Sequence, residues 1–169
     1  MSGILRFTTG DMFAANADAI VNTVNCVGVM GAGIAETVRD NWPDVCSTYR
    51  KACSPELRCD GTRAQTSASL KNGRPPDCLI PESECDCTIH RVRPGRILAL
   101  RTHAASGPSA ILNLPTTRHW NAPSRLSDVD ASLAALADGL RRNTQRWASV
   151  VSPPPGCGHG GLSWKRDVR

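Results

Sequence analysis

The sequence predicts a single α/β domain with helices packed on both faces of a mixed sheet, and three observations carry that expectation. Short apolar runs, partly β-branched, alternate with segments of helical period along the chain, an order that lays helices over a sheet. Two glycine-rich loops, at 28–33 and 156–161, each follow such a run. The length of 169 residues suits one hydrophobic core, so one domain over 1–169 is expected.

The first strand is expected at residues 4–8, ending in a turn at Gly10 and Asp11. Ala19, Ile20 and Val21 form a second brief run of the kind that strands buried on both faces show. It leads through Asn22 and Asn25 into the first glycine-rich loop, which opens a helix. Ile34, Val38 and Trp42 recur every fourth residue and give that helix one apolar stripe, which Pro43 stops. Asp44 is a candidate cap for a further helix reaching about Cys53.

Residues 54–91 break the pattern, being rich in Pro, Ser, Arg and Cys without a period, and are expected to be an inserted surface excursion. Strands are expected again at 97–100 and 110–114. Ser124 then precedes a helix whose Leu126, Val129, Leu133, Leu136 and Leu140 lie three and four apart. Arg141, Arg142 and Asn143 suit its end, as cations near a helix carboxyl terminus and a left-handed cap. A strand-like stretch at 147–152 leads to the second glycine-rich loop, with a short helix after Leu162. No internal repeat is visible.

Composition narrows the partners. No apolar run approaches the roughly eighteen residues of a membrane span and the first residues lack a signal pattern. A soluble cytoplasmic protein without a membrane partner is therefore expected. Eight cysteines in a chain able to form a real core are expected to be reduced thiols. The net charge of +5 rests on arginine, since only Lys51, Lys71 and Lys165 are lysines. That bias is compatible with a phosphate-bearing partner and equally with a solvated surface.

The two loops carry the chemistry. Glycine lets a backbone approach a ligand closely, and unpaired N–H groups at a helix start attract an anion. Gly31, Ala32 and Gly33 fit this, although a strand-to-helix turn also uses glycine for packing alone. The second loop is the stronger signal, with Gly156, Gly158, Gly160 and Gly161 within six residues. Such a run favours a phosphate or diphosphate cradle over a plain turn. Neither loop has the Gly-Lys-Ser/Thr of a P-loop or the glycine spacing of a dinucleotide fold. Cys78, Cys85, Cys87 and His90, with Cys59 nearby, are residue types that bind zinc, but their spacing is poor. No metal and no cofactor are expected.

The whole pattern of Gly10-Asp11, the continuous block at 21–35, Asn113-Leu114-Pro115-Thr116, His119-Trp120 and the block at 154–162 resembles the DarG-type macrodomain family in order and spacing. The resemblance covers nearly all of the chain outside 54–91 and resumes at Val92. It implies a three-layer α/β/α macrodomain with a mixed central sheet and a cleft for ADP-ribose. By the same resemblance Asp11 contacts adenine, with Met12 beside it, and Asn25 lies near the distal ribose. Asn22, Val29, Met30, Gly31, Ala32 and Gly33 of the first loop, Thr116, and Gly156, Cys157, Gly158, His159, Gly160 and Gly161 of the second line the ligand. The family removes ADP-ribose from modified thymidine in DNA, and its members partner an ADP-ribosyltransferase toxin.

One departure stands out. The family's catalytic lysine directly follows the Pro-Thr pair, and this chain has Thr117 there. A related family acting on protein-linked ADP-ribose adds an aspartate in the second loop, where this chain has Gly160. A hydroxyl cannot form the Schiff base that an amine forms with an opened ribose, and Arg118 keeps its proton at neutral pH. His119 and His159 remain candidate acid–base groups. Three functions stay open: a glycohydrolase acting on ADP-ribosylated DNA with Asn25 and Thr117 at its centre, a non-catalytic reader of ADP-ribose, and a free nucleotide or RNA binder.

Overall fold

The computed structural model describes residues 3–53, 92–103, 106–142 and 146–168. Among them lie β1 (Ala19–Val24), α1 (Gly33–Asn41), α2 (Pro43–Ala52), β2 (Leu98–Arg101), β3 (Ala110–Pro115), α3 (Leu126–Arg142) and β4 (Val150–Val151). The excursion at 54–91 with its cysteines and His90, and Asn143, lie outside the described residues.

The strands form one mixed sheet in the order β2-β3-β1-β4. β1 pairs in parallel with both β3 and β4, while β2 runs antiparallel to β3. Because successive strand side chains point to opposite faces, β1 and β3 feed two cores. Ile20, Val24 and Ile111 meet Val38 of α1 and Val45 and Tyr49 of α2 on one face. Ala19, Val21, Ala110, Leu112 and Leu114 meet Leu136 of α3 on the other. Ile20, Ile111 and Leu114 are completely buried, each side chain contributing about 1.5–3 kcal/mol by its removal from water. The three layers expected from the alternation of elements are present, and both middle strands are sealed by helices.

Three local expectations need correction. Residues 4–8 form no strand: Ile4 and Leu5 are each 80% exposed and Phe7 is 62% exposed. A strand needs a hydrogen-bonded neighbour as well as propensity, and β4, at the sheet edge, is only two residues long. The stretch at 147–152 shrinks to that same β4. Asp44 is not a cap, since α2 starts at Pro43, where a missing N–H costs nothing, and Asp44 sits inside the first turn beside the positive helix end. Ser124 precedes α3, as expected, but its side chain makes no cap. Its Oγ is buried and unpartnered, and the N–H groups of Asp128 and Val129 both donate to the Arg125 carbonyl. After Leu162 the chain makes a single π-helical turn, Trp164–Val168. No helix among the described residues is long and apolar enough to cross a membrane.

Candidate functional site

Since β1, β3 and β4 are parallel, their carboxyl ends share one edge, the usual ligand edge of such sheets. Three connections leave from it: the first glycine-rich loop after Val24, residues 116–125 after Pro115, and the second glycine-rich loop after Val151.

The first loop is organised by Asn25. Its Oδ1 accepts from the N–H groups of Val27 at 3.1 Å and Val29 at 3.2 Å, and its Nδ2 donates to the Val29 carbonyl at 2.6 Å. The Tyr49 hydroxyl donates to the Asn25 carbonyl at 2.6 Å from beneath. Below the loop, burial pushes the Cys26 thiol up to about 11 and the Cys53 thiol up to about 12. Burial raises the Tyr49 phenol as well, so this floor is uncharged at neutral pH and no thiolate repels an anion above it. α1 begins at the loop's end with Ala32 as its cap, and no side chain bonds to its first N–H groups. Those donors are left for a ligand.

The second loop is shaped by absent side chains. Gly156 has φ +75°, and a Cβ there would lie 2.8 Å from Leu162 Cδ1 and 2.9 Å from Val129 Cγ2. A Cβ on Gly160 would lie 2.4 Å from Ser124 Oγ. Gly158, at φ +66°, faces open space, in a 3-10 turn over Gly158–Gly160. The two loops are adjacent, because a Cβ on Gly33 would lie 3.3 Å from the His159 ring. This meeting of the loops is what the sequence led one to expect of their strands.

The third connection ties the two together. The N–H of Thr116 donates to the Val24 carbonyl at 2.9 Å, that of Cys26 to the Arg118 carbonyl at 3.3 Å, and that of Ser124 to the Gly160 carbonyl at 2.8 Å. The Arg118 guanidinium donates twice to the Asp128 carboxylate, at 2.9 and 3.0 Å. That contact raises the arginine's pKa and commits its charge to holding the loop.

Of the residues expected at the ligand, Val29, Gly31, Ala32, Gly33, Gly158, His159 and Gly161 are exposed on the two loops. Thr117 is half-buried, its N–H donating to the Val24 carbonyl at 3.4 Å and its carbonyl accepting from the Cys26 thiol, and Thr116 is buried beside it. Asp11 is exposed in the turn before β1, its Oδ1 accepting from the Phe13 N–H at 2.9 Å, and Met12 packs partly on the core. Three residues face inward instead. Asn22 is fully buried, with Nδ2 donating to Asn113 Oδ1 at 2.9 Å. The Met30 side chain is in the core, while its carbonyl accepts from Arg39. The Asn25 carboxamide is spent on its own loop, where it places Val27 and Val29. Cys157 is half-buried, and Gly156 and Gly160 are buried. The sequence reasoning missed Tyr49, Ser124 and Asp128. Tyr49 was the findable one, as the chain's single tyrosine on the helical stripe of Val45 and Cys46.

No protein-family model matches the chain. Individual proteins do. It is 35% identical over 162 residues, 96% of its own length, to a DNA ADP-ribosyl glycohydrolase of Mycobacterium tuberculosis. It is 28% identical over 160 residues, 95% of its length, to a DNA ADP-ribosyl transferase-DNA ADP-ribosyl glycohydrolase fusion protein of Thermosipho africanus. The chain spans 36% of the length of each of these two relatives. Among solved structures, the macrodomain of Mycobacterium tuberculosis DarG superposes with a TM-score of 0.70 at 34% identity, over 97% of this chain and 84% of that one. The macrodomain of Thermus aquaticus DarG gives 0.69 at 32%, over 97% and 85%.

Proposed function

The chain belongs to the DarG macrodomain family, and from that premise we propose that it binds ADP-ribose between its two glycine-rich loops and removes it from modified thymidine in DNA. The observation that carries this reading is the meeting of the loops at one sheet edge, with the uncapped start of α1 and the open face of Gly158 in the same cleft. A diphosphate there receives backbone N–H groups from both sides. The adenosine end extends toward Asp11, and the distal ribose toward Asn25 and Thr117. The fused relative supports an ADP-ribosyltransferase toxin as the activity that makes the substrate, and a DNA substrate places the protein in the cytoplasm.

Thr117 decides how fast the bond breaks. An amine at that position adds to the opened distal ribose and displaces the base, whereas a hydroxyl leaves only orientation and backbone electrostatics. Turnover is therefore slow in this chain. Gly160 offers no alternative, because Ser124 fills the space into which an aspartate there would grow. The same two observations favour a second reading, in which the cleft holds ADP-ribose without cleaving it.

Single-turnover release of ADP-ribose from an oligonucleotide carrying ADP-ribosylated thymidine separates the two. Thr117→Lys is expected to raise the rate by about a hundredfold or more, with ADP-ribose affinity little changed. A wild type already as fast as the variant would move the chemistry to another group. Inactivity of both proteins, with ADP-ribose still bound, would leave the reader as the function.

A further inference from the structure

We infer that the groove between α1 and α2 binds a nucleic-acid strand through its phosphates, as a site separate from the ADP-ribose cleft. The groove has a volume of about 360 Å³ and is lined by Arg39 of α1 and by Pro43, Cys46, Ser47, Arg50 and Lys51 of α2. On α2 these residues recur three and four apart and so share one face of the helix, while Val45 and Tyr49 pack into the core.

The groove is charged with one sign. Among the described residues three cations and no carboxylate line it. Arg39 is partly answered by Glu36 at 3.3 Å and Asp40 at 2.8 Å. Arg50 and Lys51 are exposed, and neither side chain makes an ion pair or hydrogen bond among the described residues. Cations in the last turn of α2 suit the negative end of that helix, but a helix end accounts for neither the groove nor the third cation that α1 brings to it.

The lining also selects the partner. A surface that docks a protein centres on aromatic or large aliphatic anchors and is depleted in lysine, and this groove has no such anchor. Phosphates are taken by arginine, lysine and serine side chains, the donors that Arg39, Ser47, Arg50 and Lys51 present. With no aromatic ring in the lining a base has nothing to stack on, so the contact is to the backbone and indifferent to sequence.

Two contacts fasten the groove beside the first glycine-rich loop. The Arg39 guanidinium donates to the Met30 carbonyl at 2.9 Å, and a Cβ on Gly28 would lie 3.5 Å from Arg50 Cα. Arg39 stands about 9 Å along α1 from Gly33 at the helix start, which keeps the groove apart from the space assigned to the diphosphate.

The test is the anisotropy of a labelled, unmodified single-stranded oligonucleotide of roughly twelve nucleotides, titrated at about 50 and 200 mM salt, without ADP-ribose and with it in excess. The wild type is expected to bind in both cases, whatever the base sequence. Arg50→Gln combined with Lys51→Gln should weaken binding at the lower salt by at least about tenfold and reduce the slope of log affinity against log salt by about 1.4. Melting temperature and ADP-ribose affinity should stay as they were. Arg141→Gln combined with Arg142→Gln removes the same charge from the last turn of α3, on the other face of the sheet, and should leave most of the binding. Equal weakening in the two double variants would reduce the effect to net charge and overturn the groove. So would wild-type binding that excess ADP-ribose abolishes, which would put the strand in the cleft, or a polyglutamate chain of equal charge that competes as well as the oligonucleotide. Oligonucleotide binding at the groove by a protein that takes up no ADP-ribose would sustain this site and remove the function proposed above.

Discussion

The two glycine-rich loops lie against each other but are held by opposite means. The first keeps its shape through side chains: Asn25 bridges three backbone groups of its loop, and Tyr49 props it from the core. The second keeps its shape through side chains that are missing, at Gly156 and Gly160, where any Cβ would meet Leu162, Val129 or Ser124. The first loop is thus broken by removing a polar group and the second by adding a methyl. A ligand lying between them meets one wall built by hydrogen bonds and another built by close packing.

The largest effect is expected at Gly156. Gly156→Ala combines overpacking against the half-buried Leu162 and the buried Val129 with a left-handed backbone, and should cost about 3 kcal/mol. For a chain of this length that lowers the melting temperature by roughly 6–12 °C, which differential scanning fluorimetry reads directly. An unchanged melting temperature would mean that the second loop has room the contacts deny.

Tyr49→Phe tests the other wall. It leaves the buried Asn25 carbonyl without its donor and should cost about 1–3 kcal/mol, with a matching loss of ADP-ribose affinity as Val27 and Val29 lose their fixed positions. Chemical denaturation and titration calorimetry check the two halves. Loss of stability with full affinity would show that the first loop does not depend on its prop.

These contrasts bear on what was legible in the sequence. α3 was legible because its apolar residues keep a strict three-and-four spacing, and β1 and β3 because each opens on three consecutive apolar residues, as strands sealed on both faces do. The strand expected at 4–8 failed because propensity carries no information on whether an edge is available to pair with. Asn25 and Asn22 both turn their carboxamides inward, onto the loop and onto Asn113: a sequence shows that an asparagine lies near a loop, not which way its carboxamide turns. Ser124 matched a helix-start signal, yet its place is set by a glycine 36 positions later that only the fold brings near.

The smallest expected effect concerns how the loops are hung. The second loop follows the two-residue β4, whose amino end is held by Asp18: its carboxylate accepts from the Ser149 N–H at 2.8 Å and hydroxyl at 3.1 Å. The Ser149 contacts hold this carboxyl below its ordinary value. A depressed folded pKa means stability present above the unfolded value near 3.9 and lost as pH falls through the lower folded one. Acidification below about pH 4 should therefore lower hydrogen-exchange protection around Val150 and Val151 before it does so around Asn25. In Asp18→Asn the same loosening should already be present at neutral pH. Simultaneous loss at both loops would place them on one common support.

The claim that the two walls form one ADP-ribose site is tested most directly by titrating ADP-ribose into the wild type and Gly158→Glu by calorimetry. A Cβ at Gly158 would meet no neighbouring atom, so Gly158→Glu costs only the left-handed backbone, about 1–2 kcal/mol, and should stay folded while its carboxylate enters the space assigned to the diphosphate. The account predicts one site in the wild type, a stabilised fold by mass action, and no measurable heat in the variant. No heat from the wild type at millimolar ADP-ribose, or equal affinity in both proteins, would contradict it.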